Sequence, residues 1–181
     1  CVSHNFRFSR AVAMAHRFLG SKPRPLYAMG VQVSSLRRRL PDWYGDLPGG
    51  LLFDEVPHLV YLMRHFLGPL EVEHVRARWG PTGSEPLSAE VLLRGERGPG
   101  QIAMVFDAPV SEWQVLVTTA EGVVLLDLFR DIAIRVGPDG AHGPLDILRT
   151  SAGALRDHST GFIASGARYI AGRQRWGHDV L

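Results

Sequence analysis

The hydrophobic residues of this chain alternate between the two-residue period of strands and the roughly 3.6-residue period of helices. Residues 2–8 alternate as a strand does. Ser9 is a good helix N-cap, so a helix is predicted from about residue 10 to residue 19, with Gly20 ending it. The amino end therefore predicts a strand followed at once by a helix.

The next stretch predicts a second strand and a second helix. Residues 26–36 alternate again, and residues 37–50 are rich in turn-forming residues and predict a loop. An apolar helical pattern then runs from about residue 55 to residue 67, where Gly68 and a proline end it.

From residue 70 onward, short apolar runs are separated by glycine, proline and aspartate. Connections of this length indicate hairpins, and hairpins imply antiparallel pairing. Residues 145 to about 175 are mostly helical, with interruptions predicted near Gly161 and Gly166. The predicted strands are residues 70–79, 87–94, 100–107, 112–119, 122–128 and 131–136.

This order of elements predicts an α+β fold: one open, mostly antiparallel sheet with helices packed on one face. The 181 residues suffice for a single domain with a core, and we expect residues 1–181 to form one unit. The composition, 45% hydrophobic and 21% charged, is ordinary for a soluble globular protein.

Charge and cysteine content exclude several classes of protein. A net charge of +2 is too small to indicate a nucleic-acid partner. No stretch is apolar enough to span a bilayer and no signal peptide is visible, so we expect a cytoplasmic protein with no membrane partner. Cys1 is the single cysteine, which excludes an internal disulfide and a cysteine-based zinc site.

The two ends indicate a piece of a longer protein. There is no initiator methionine, and residues 2–8 read as a strand already under way. The last residues stop without a polar tail. Cys1 as a processed nucleophile or a lipidated residue is the alternative interpretation.

Asp54 and His58 are the candidate chemical pair. They lie four positions apart, which places both side chains on one face of a helix. Proline is tolerated in the first turn of a helix, so Pro57 predicts a helix that begins near Asp54. There the helix dipole favours a carboxylate and a neutral imidazole, which suits proton transfer. The alternative is an aspartate that only caps the helix and a histidine that only packs.

Other residues allow further interpretations. Trp43 and Tyr44 precede the glycine turn and could stack on a sugar ring, or pack the loop. The arginines at 37–39 could hold an anion, or be solvated. His65 shares a helix face with His58, but residues spread over three helical turns seldom converge on a metal, so no metal site is expected.

Two motifs carry a resemblance to a known family. Residues 5–12 read Asn-Phe-Arg-Phe-Ser-Arg-Ala-Val, and residues 49–54 read Gly-Gly-Leu-Leu-Phe-Asp, with His58 four positions later. In this order, followed by a β meander, they resemble the second domain of the Gfo/Idh/MocA oxidoreductases. That family has an Asn-Arg-Arg-Phe-x-Pro-like strand end and a Gly-Gly-Gly-x-Leu-x-Asp-x-Gly-x-His-x-x-Asp-like helix start.

The resemblance implies roles for individual residues. His58 matches the family histidine that acts as acid/base during hydride transfer. Asp54 matches the aspartate that contacts substrate hydroxyls and orients that histidine. Arg7 matches the second arginine of the strand-end motif, and Asn5 also matches and is expected to line the same cleft. The sequence departs from the family at Phe6, Arg10, Pro48, Val56 and Tyr61, which stand where arginine, proline, glycine, glycine and aspartate are usual.

The resemblance also implies a missing half. The chain has no Gly-x-Gly-x-x-Gly loop and no Glu-Lys-Pro motif, so NAD or NADP would be bound mainly by a Rossmann domain absent from this chain. The expected function is the substrate-binding and acid/base half of a dehydrogenase or reductase that acts on a sugar, cyclitol or similar polyol, a small-molecule partner. This chain alone would be inactive. The alternative is a non-catalytic oligomerisation or ligand-binding module, and a homo-oligomer through the open sheet is expected.

Overall fold

The computed structural model describes residues 5–20, 24–35, 49–81, 83, 86–141 and 143–172. Helices lie at both ends of the chain and a run of strands lies between them. In chain order the elements are a 3-10 helix at Asn5–Phe8, α1 at Arg10–Leu19, β1 at Tyr27–Ser35, α2 at Leu51–Leu67, β2 at Leu70–Trp79, β3 at Pro86–Gly95, β4 at Gly98–Ala108, β5 at Glu112–Thr119, β6 at Gly122–Asp127, β7 at Ile132–Val136 and α3 at Pro144–Ile170.

The strands form one sheet with the order β2-β3-β4-β1-β5-β6-β7. β1 lies at its centre, parallel to β4 and antiparallel to β5, and the remaining neighbours are antiparallel. The predicted α+β fold with an open, mostly antiparallel sheet is therefore confirmed. The later strands have the predicted positions to within about two residues, since alternation and turn residues determine both.

The helices α1 and α2 cover one face of the sheet. On the opposite face, called the open face below, α3 packs against Ile132 at the β7 end. Along β1, Ala28, Gly30, Gln32 and Ser34 are buried, and the residues between them are half-buried. The register places these residues beside the buried residues of β4 and β5, so that Gly30, for example, lies opposite Val115. The helices α1 and α2 pack on this face and enclose the core.

The helix α2 approaches the sheet closely because glycines lie beneath it. A Cβ atom at Gly100 would lie 2.7 Å from Leu67 Cδ1 and 2.8 Å from Met63 Cε. One at Gly30 would lie 3.3 Å from Leu59 Cδ2. These positions therefore fix the depth at which α2, and every side chain it carries, sits above the sheet.

Three sequence predictions are corrected. The predicted strand at residues 2–8 is wrong for its described part, because Asn5–Phe8 is a 3-10 helix. The Asn5 side chain accepts a hydrogen bond from the Phe6 amide at 2.9 Å, and Ser9 N–H donates to the Phe6 carbonyl at 3.1 Å. Such local bonds compete with a sheet ladder.

The predicted N-cap of α1 is confirmed, since Ser9 Oγ accepts a hydrogen bond from the Val12 amide.

The second correction concerns the start of α2. The helix begins at Leu51, directly after Gly50, so Asp54 lies in its first turn and Pro57 lies inside the helix. Proline lacks the N–H that would bond back to residue 53, and the packing of the apolar face compensates for that loss. Pro57 is therefore a poor marker of the helix start here.

The third correction concerns α3, which is continuous through Gly161 and Gly166. The helix packs against the edge strand β7, where the Asp157 carboxylate accepts from the Arg135 amide at 3.2 Å. Gly161 is buried against Ile132, and a Cβ atom there would lie 2.8 Å from Ile132 Cγ2. Glycine thus permits close packing at this point, and α3 shields an edge that could otherwise pair with another chain.

Among the described residues, no helix is both long enough and apolar enough to cross a membrane. The loop predicted at residues 37–50 and the strand start at residues 2–4 lie mostly outside the part of the chain that the structure describes.

We expect Gly161→Ala to destabilise the protein and Gly166→Ala to stabilise it. Alanine gains roughly 1 kcal/mol over glycine inside a helix, and no atom lies within 4 Å of a Cβ at Gly166. At Gly161 the added methyl group clashes with Ile132, and overpacking costs about 1–3 kcal/mol. Urea unfolding of both variants measures the change in the free energy of unfolding and so gives its sign in each. Equal stabilisation by both would show that α3 does not pack on β7 as described.

Candidate functional site

The candidate pair lies near the start of α2. Asp54 occupies the first turn and His58 the next, and both side chains are half-buried. One helical turn separates them, as the spacing predicted, and Asp54 is where the positive end of the helix dipole favours a carboxylate. The structure does not test their chemical roles, which stay a prediction.

Aromatic rings surround the imidazole of His58. The Phe6 ring meets it edge-on with centroids 5.4 Å apart, and Tyr61 does the same at 5.7 Å. Trp113, almost fully buried on β5, lies 5.3 Å away. His58 is therefore held in an apolar wall built from three separate elements: the 3-10 helix, α2 and β5. A wall of this kind restricts the orientation of the ring and limits its access to water.

Hydrogen bonds tie the 3-10 helix to α2 on the polar side of His58. Nδ1 of His58 lies 3.3 Å from Tyr61 Oη. Tyr61 donates its hydroxyl hydrogen to Asn5 Oδ1 at 3.1 Å and accepts from the Phe6 amide at 3.1 Å. Asn5, predicted as a cleft residue, is thus brought to His58 through Tyr61. Sequence reasoning missed the involvement of Tyr61, which stands where the family motif has aspartate.

The Tyr61 hydroxyl stays protonated at neutral pH. Burial raises the pKa of Tyr61 to about 12, and the hydrogen bond from the Phe6 backbone offsets part of that rise. The side chain therefore always has a hydrogen to donate, and it carries no charge beside His58.

The remaining predicted site residues lie elsewhere or outside the description. Arg7 is exposed on the 3-10 helix, and its positive charge acts on His65. Trp43 and Tyr44 lie outside the described residues. Of the predicted residues, Asn5 is linked to His58 through Tyr61, and Asp54 lies one helical turn before His58.

A buried polar cluster beneath α2 escaped the sequence predictions. Glu55 is 1% exposed, and its Oε2 accepts hydrogen bonds from Gln32 Nε2 and, at 2.7 Å, from Ser34 Oγ. The signal in the sequence was that Gln32 and Ser34 share the parity of Ala28 and Gly30, the covered face of β1. Polar side chains on a covered strand face require partners, and Glu55 provides them.

Among the described residues, Gln32 Oε1 and Trp113 Nε1 near the site are buried without a hydrogen-bond partner. Native structures keep few such atoms, because each costs about 1–3 kcal/mol. Both belong to residues opposite each other on neighbouring strands β1 and β5. Uncompensated polar atoms that gather in one place are more typical of a functional site than of a purely structural core.

A histidine pair joins α1 to α2. Nε2 of His16 and Nε2 of His65 lie 2.5 Å apart, with the rings edge to face. One hydrogen can lie between these atoms and two cannot. The pKa of His65 is lowered to about 4, first by burial and then by the positive charges of His16, Arg7 and Arg97. In the described residues no group of three or more potential metal ligands converges.

Several solved structures share this fold. Levoglucosan dehydrogenase in complex with NADH and levoglucosan matches with a TM-score of 0.65 at 17% identity, over 77% of this chain and 44% of that protein. UDP-N-acetylglucosamine 3-dehydrogenase from Acidithiobacillus ferrooxidans matches with 0.60 at 13% identity, over 96% of this chain and 58% of its own. An oxidoreductase from Agrobacterium radiobacter in complex with NAD+, L-tartaric acid and magnesium matches with 0.58 at 18% identity, over 91% and 55%.

These neighbours are Gfo/Idh/MocA oxidoreductases, and the matched part is consistent with their C-terminal domain. The resemblance drawn from the two motifs is thereby confirmed at the level of the fold. The chain spans about 44% of the length of levoglucosan dehydrogenase. No protein-family model matches the sequence, and no curated protein sequence matches it.

We expect the protein to lose stability as the pH falls from about 6.5 towards about 4. In that window an unfolded His65 takes up a proton and the folded one resists it, so protonation favours the unfolded state. The stability that the fold gains by keeping His65 neutral is fully present above pH 6.5 and is lost near pH 4. His65→Gln should reduce the change in the free energy of unfolding across this pH window by roughly 1–2 kcal/mol. The expected value is small because His65 is half-exposed and solvent screens its charge.

Urea unfolding at several pH values measures the effect. The matched control is His158→Gln, at an exposed position on α3. If both variants keep the pH dependence of the wild type, the histidine pair does not control it.

Proposed function

We propose that this chain is the substrate-binding and acid/base half of an NAD(P)-dependent oxidoreductase that acts on a sugar, cyclitol or similar polyol. The observation that carries the proposal is His58, fixed by an aromatic wall one helical turn after Asp54, in a fold shared with sugar-modifying dehydrogenases. A positioned imidazole next to a carboxylate is what the removal of a hydroxyl proton requires.

The chemistry divides between cofactor and chain. A bound oxidised nicotinamide would supply the hydride acceptor for a carbinol carbon. The hydroxyl on that carbon must release its proton for the carbonyl to form, and His58 accepts it. In reduction, His58 returns the proton to the oxygen. Asp54 contacts substrate hydroxyls, and Asn5 and Arg7 of the amino-terminal segment are proposed to bind the substrate as well.

The cofactor would be held by residues outside this chain. The sequence has no Gly-x-Gly-x-x-Gly loop, and the chain covers less than half of levoglucosan dehydrogenase. We therefore propose that a nucleotide-binding domain in the same protein completes the active site. Trp43 and Tyr44 are proposed to contact the sugar, by stacking against its ring.

We expect His58→Ala in the full-length protein to lower kcat by about 10²–10⁴-fold, the usual contribution of a general base. Binding of NADH, followed by its fluorescence, should not change, because His58 handles the proton and not the dinucleotide. The assay follows nicotinamide reduction with a panel of sugars and cyclitols. His158→Ala, on the exposed side of α3, is the control. Unchanged turnover in His58→Ala would exclude His58 as the base. A full-length protein that binds no dinucleotide would contradict the proposed NAD(P)-dependent activity.

A second candidate function is oligomerisation through the open face of the sheet. The row of residues across its centre is apolar and half-buried, and it lies on the face opposite α1 and α2. Obligate interfaces are apolar and self-complementary in two-fold dimers. The row consists of Met29, Leu116, Leu125 and Ile134.

We expect Leu116→Lys to shift the protein from dimer to monomer, because a lysine in the middle of the row would place two like charges at the interface. Size-exclusion chromatography with light scattering measures the mass. Leu155→Lys, which changes an exposed leucine on α3, should have no effect. A monomeric wild type, or dissociation by Leu155→Lys alone, would contradict an interface on the open face.

A further inference from the structure

The amide of Asn5 has a fixed orientation. The Phe6 backbone N–H donates to Asn5 Oδ1 at 2.9 Å, and a backbone N–H cannot act as an acceptor. The atom facing Phe6 must therefore be the oxygen of the side-chain amide and not its nitrogen. This backbone bond decides the orientation of the polar groups next to it.

The Asn5 side chain determines the direction in which the Tyr61 hydroxyl donates its hydrogen. Its Oη lies 3.1 Å from Asn5 Oδ1, and since that oxygen only accepts, the tyrosine hydroxyl must donate its single hydrogen there. The Phe6 N–H also points at Oη, at 3.1 Å, and occupies one lone pair of the hydroxyl. A tyrosine hydroxyl that has donated its hydrogen can offer only a lone pair to any further neighbour.

His58 is that further neighbour, with Nδ1 at 3.3 Å from Tyr61 Oη. A hydrogen bond between these atoms requires the hydrogen to be on Nδ1. We propose that Tyr61 is a positioning residue that, with Asn5, holds neutral His58 in its Nδ1–H tautomer and thereby places the lone pair on Nε2. In a neutral imidazole one nitrogen carries the hydrogen and the other accepts, so fixing Nδ1 also fixes the role of Nε2.

The ring contacts support the same orientation. Phe6 and Trp113 pack against the imidazole with centroids 5.4 Å and 5.3 Å away, in edge and tilted arrangements, and so restrict its rotation. The raised pKa of Tyr61 means that its hydroxyl keeps the hydrogen that Asn5 receives. A tyrosinate would reverse the direction of these bonds, and burial disfavours it.

The consequence for catalysis rests on the proposed function. A general base needs its lone pair on the nitrogen that reaches the substrate hydroxyl. With Nδ1 turned to Tyr61, that nitrogen is Nε2. A shift to the other tautomer would present an N–H donor to the hydroxyl and leave no group there to accept its proton.

The test is the tautomer of His58, read from its ring ¹⁵N chemical shifts in the ¹⁵N-labelled chain above neutral pH. Loss of a signal in His58→Gln assigns the resonance. We expect an Nδ1–H pattern in the wild type. In Tyr61→Phe the ring packing is kept and the acceptor is lost, so the Nε2–H form, which free histidine favours in water, should increase. Asn5→Ala should act in the same direction, because the Tyr61 hydroxyl can then rotate and donate to Nδ1.

Tyr27→Phe is the matched control, since the Tyr27 hydroxyl donates to Gln101 at 3.0 Å on another part of the sheet. It should leave the His58 signals unchanged. An Nε2–H pattern in the wild type, or an unchanged Nδ1–H pattern in both Tyr61→Phe and Asn5→Ala, would overturn the proposal.

The catalytic consequence has a separate readout. In the full-length protein, Tyr61→Phe should lower kcat by roughly tenfold to a hundredfold, a part of what a general base contributes, and alter the pH profile of kcat/KM. A tautomer change with no effect on turnover would uphold the positioning by Tyr61 and contradict the role of His58 as base. The failure of the proposed function is therefore distinguishable from the failure of this inference.

Discussion

The packing of α2 on the centre of the sheet is the contact on which the rest of this structure depends. Gly30 and Gly100 leave room for Leu59 and Met63, whose side chains are fully buried in the core. Burying a side chain of this size contributes about 1.5–3 kcal/mol. The same helix carries the acid, the imidazole and the tyrosine of the candidate site. The distance between helix and sheet therefore sets the position of the site over β5.

Packing alone would allow α2 to slide, and the polar cluster beneath it opposes sliding. Glu55 meets Gln32 and Ser34 of β1, and a displacement of one turn would separate these groups within an apolar interior. Burying a carboxylate costs several kcal/mol that its hydrogen bonds must offset, so the cluster adds specificity more than stability. Fixed rotation of α2 is what His58 requires, because the aromatic wall comes from other elements.

The sequence predicts well what depends on local periodicity and poorly what depends on distant pairing. Alternation and turn residues predicted the strands of the sheet, and Ser9 predicted the start of α1. The contact of Asn5 with Tyr61 joins residues 56 positions apart, and that of His16 with His65 joins residues 49 apart. No local pattern encodes such contacts. Pro57 gave the wrong start for α2 and Gly161 the wrong interruption of α3. In both cases tertiary packing outweighed the intrinsic preference of the residue.

The departure at Tyr61 gains a physical meaning from these contacts. The family that the chain resembles has an aspartate at this position. A carboxylate beside an imidazole favours the charged form of the imidazole. A tyrosine hydroxyl accepts the same hydrogen bond from Nδ1 but carries no charge, and burial keeps it neutral. The exchange therefore keeps an acceptor for Nδ1 of His58 and removes the negative charge behind the imidazole. Asn5 makes the exchange possible, because without a fixed acceptor for its hydrogen the hydroxyl could donate to Nδ1 and reverse the tautomer.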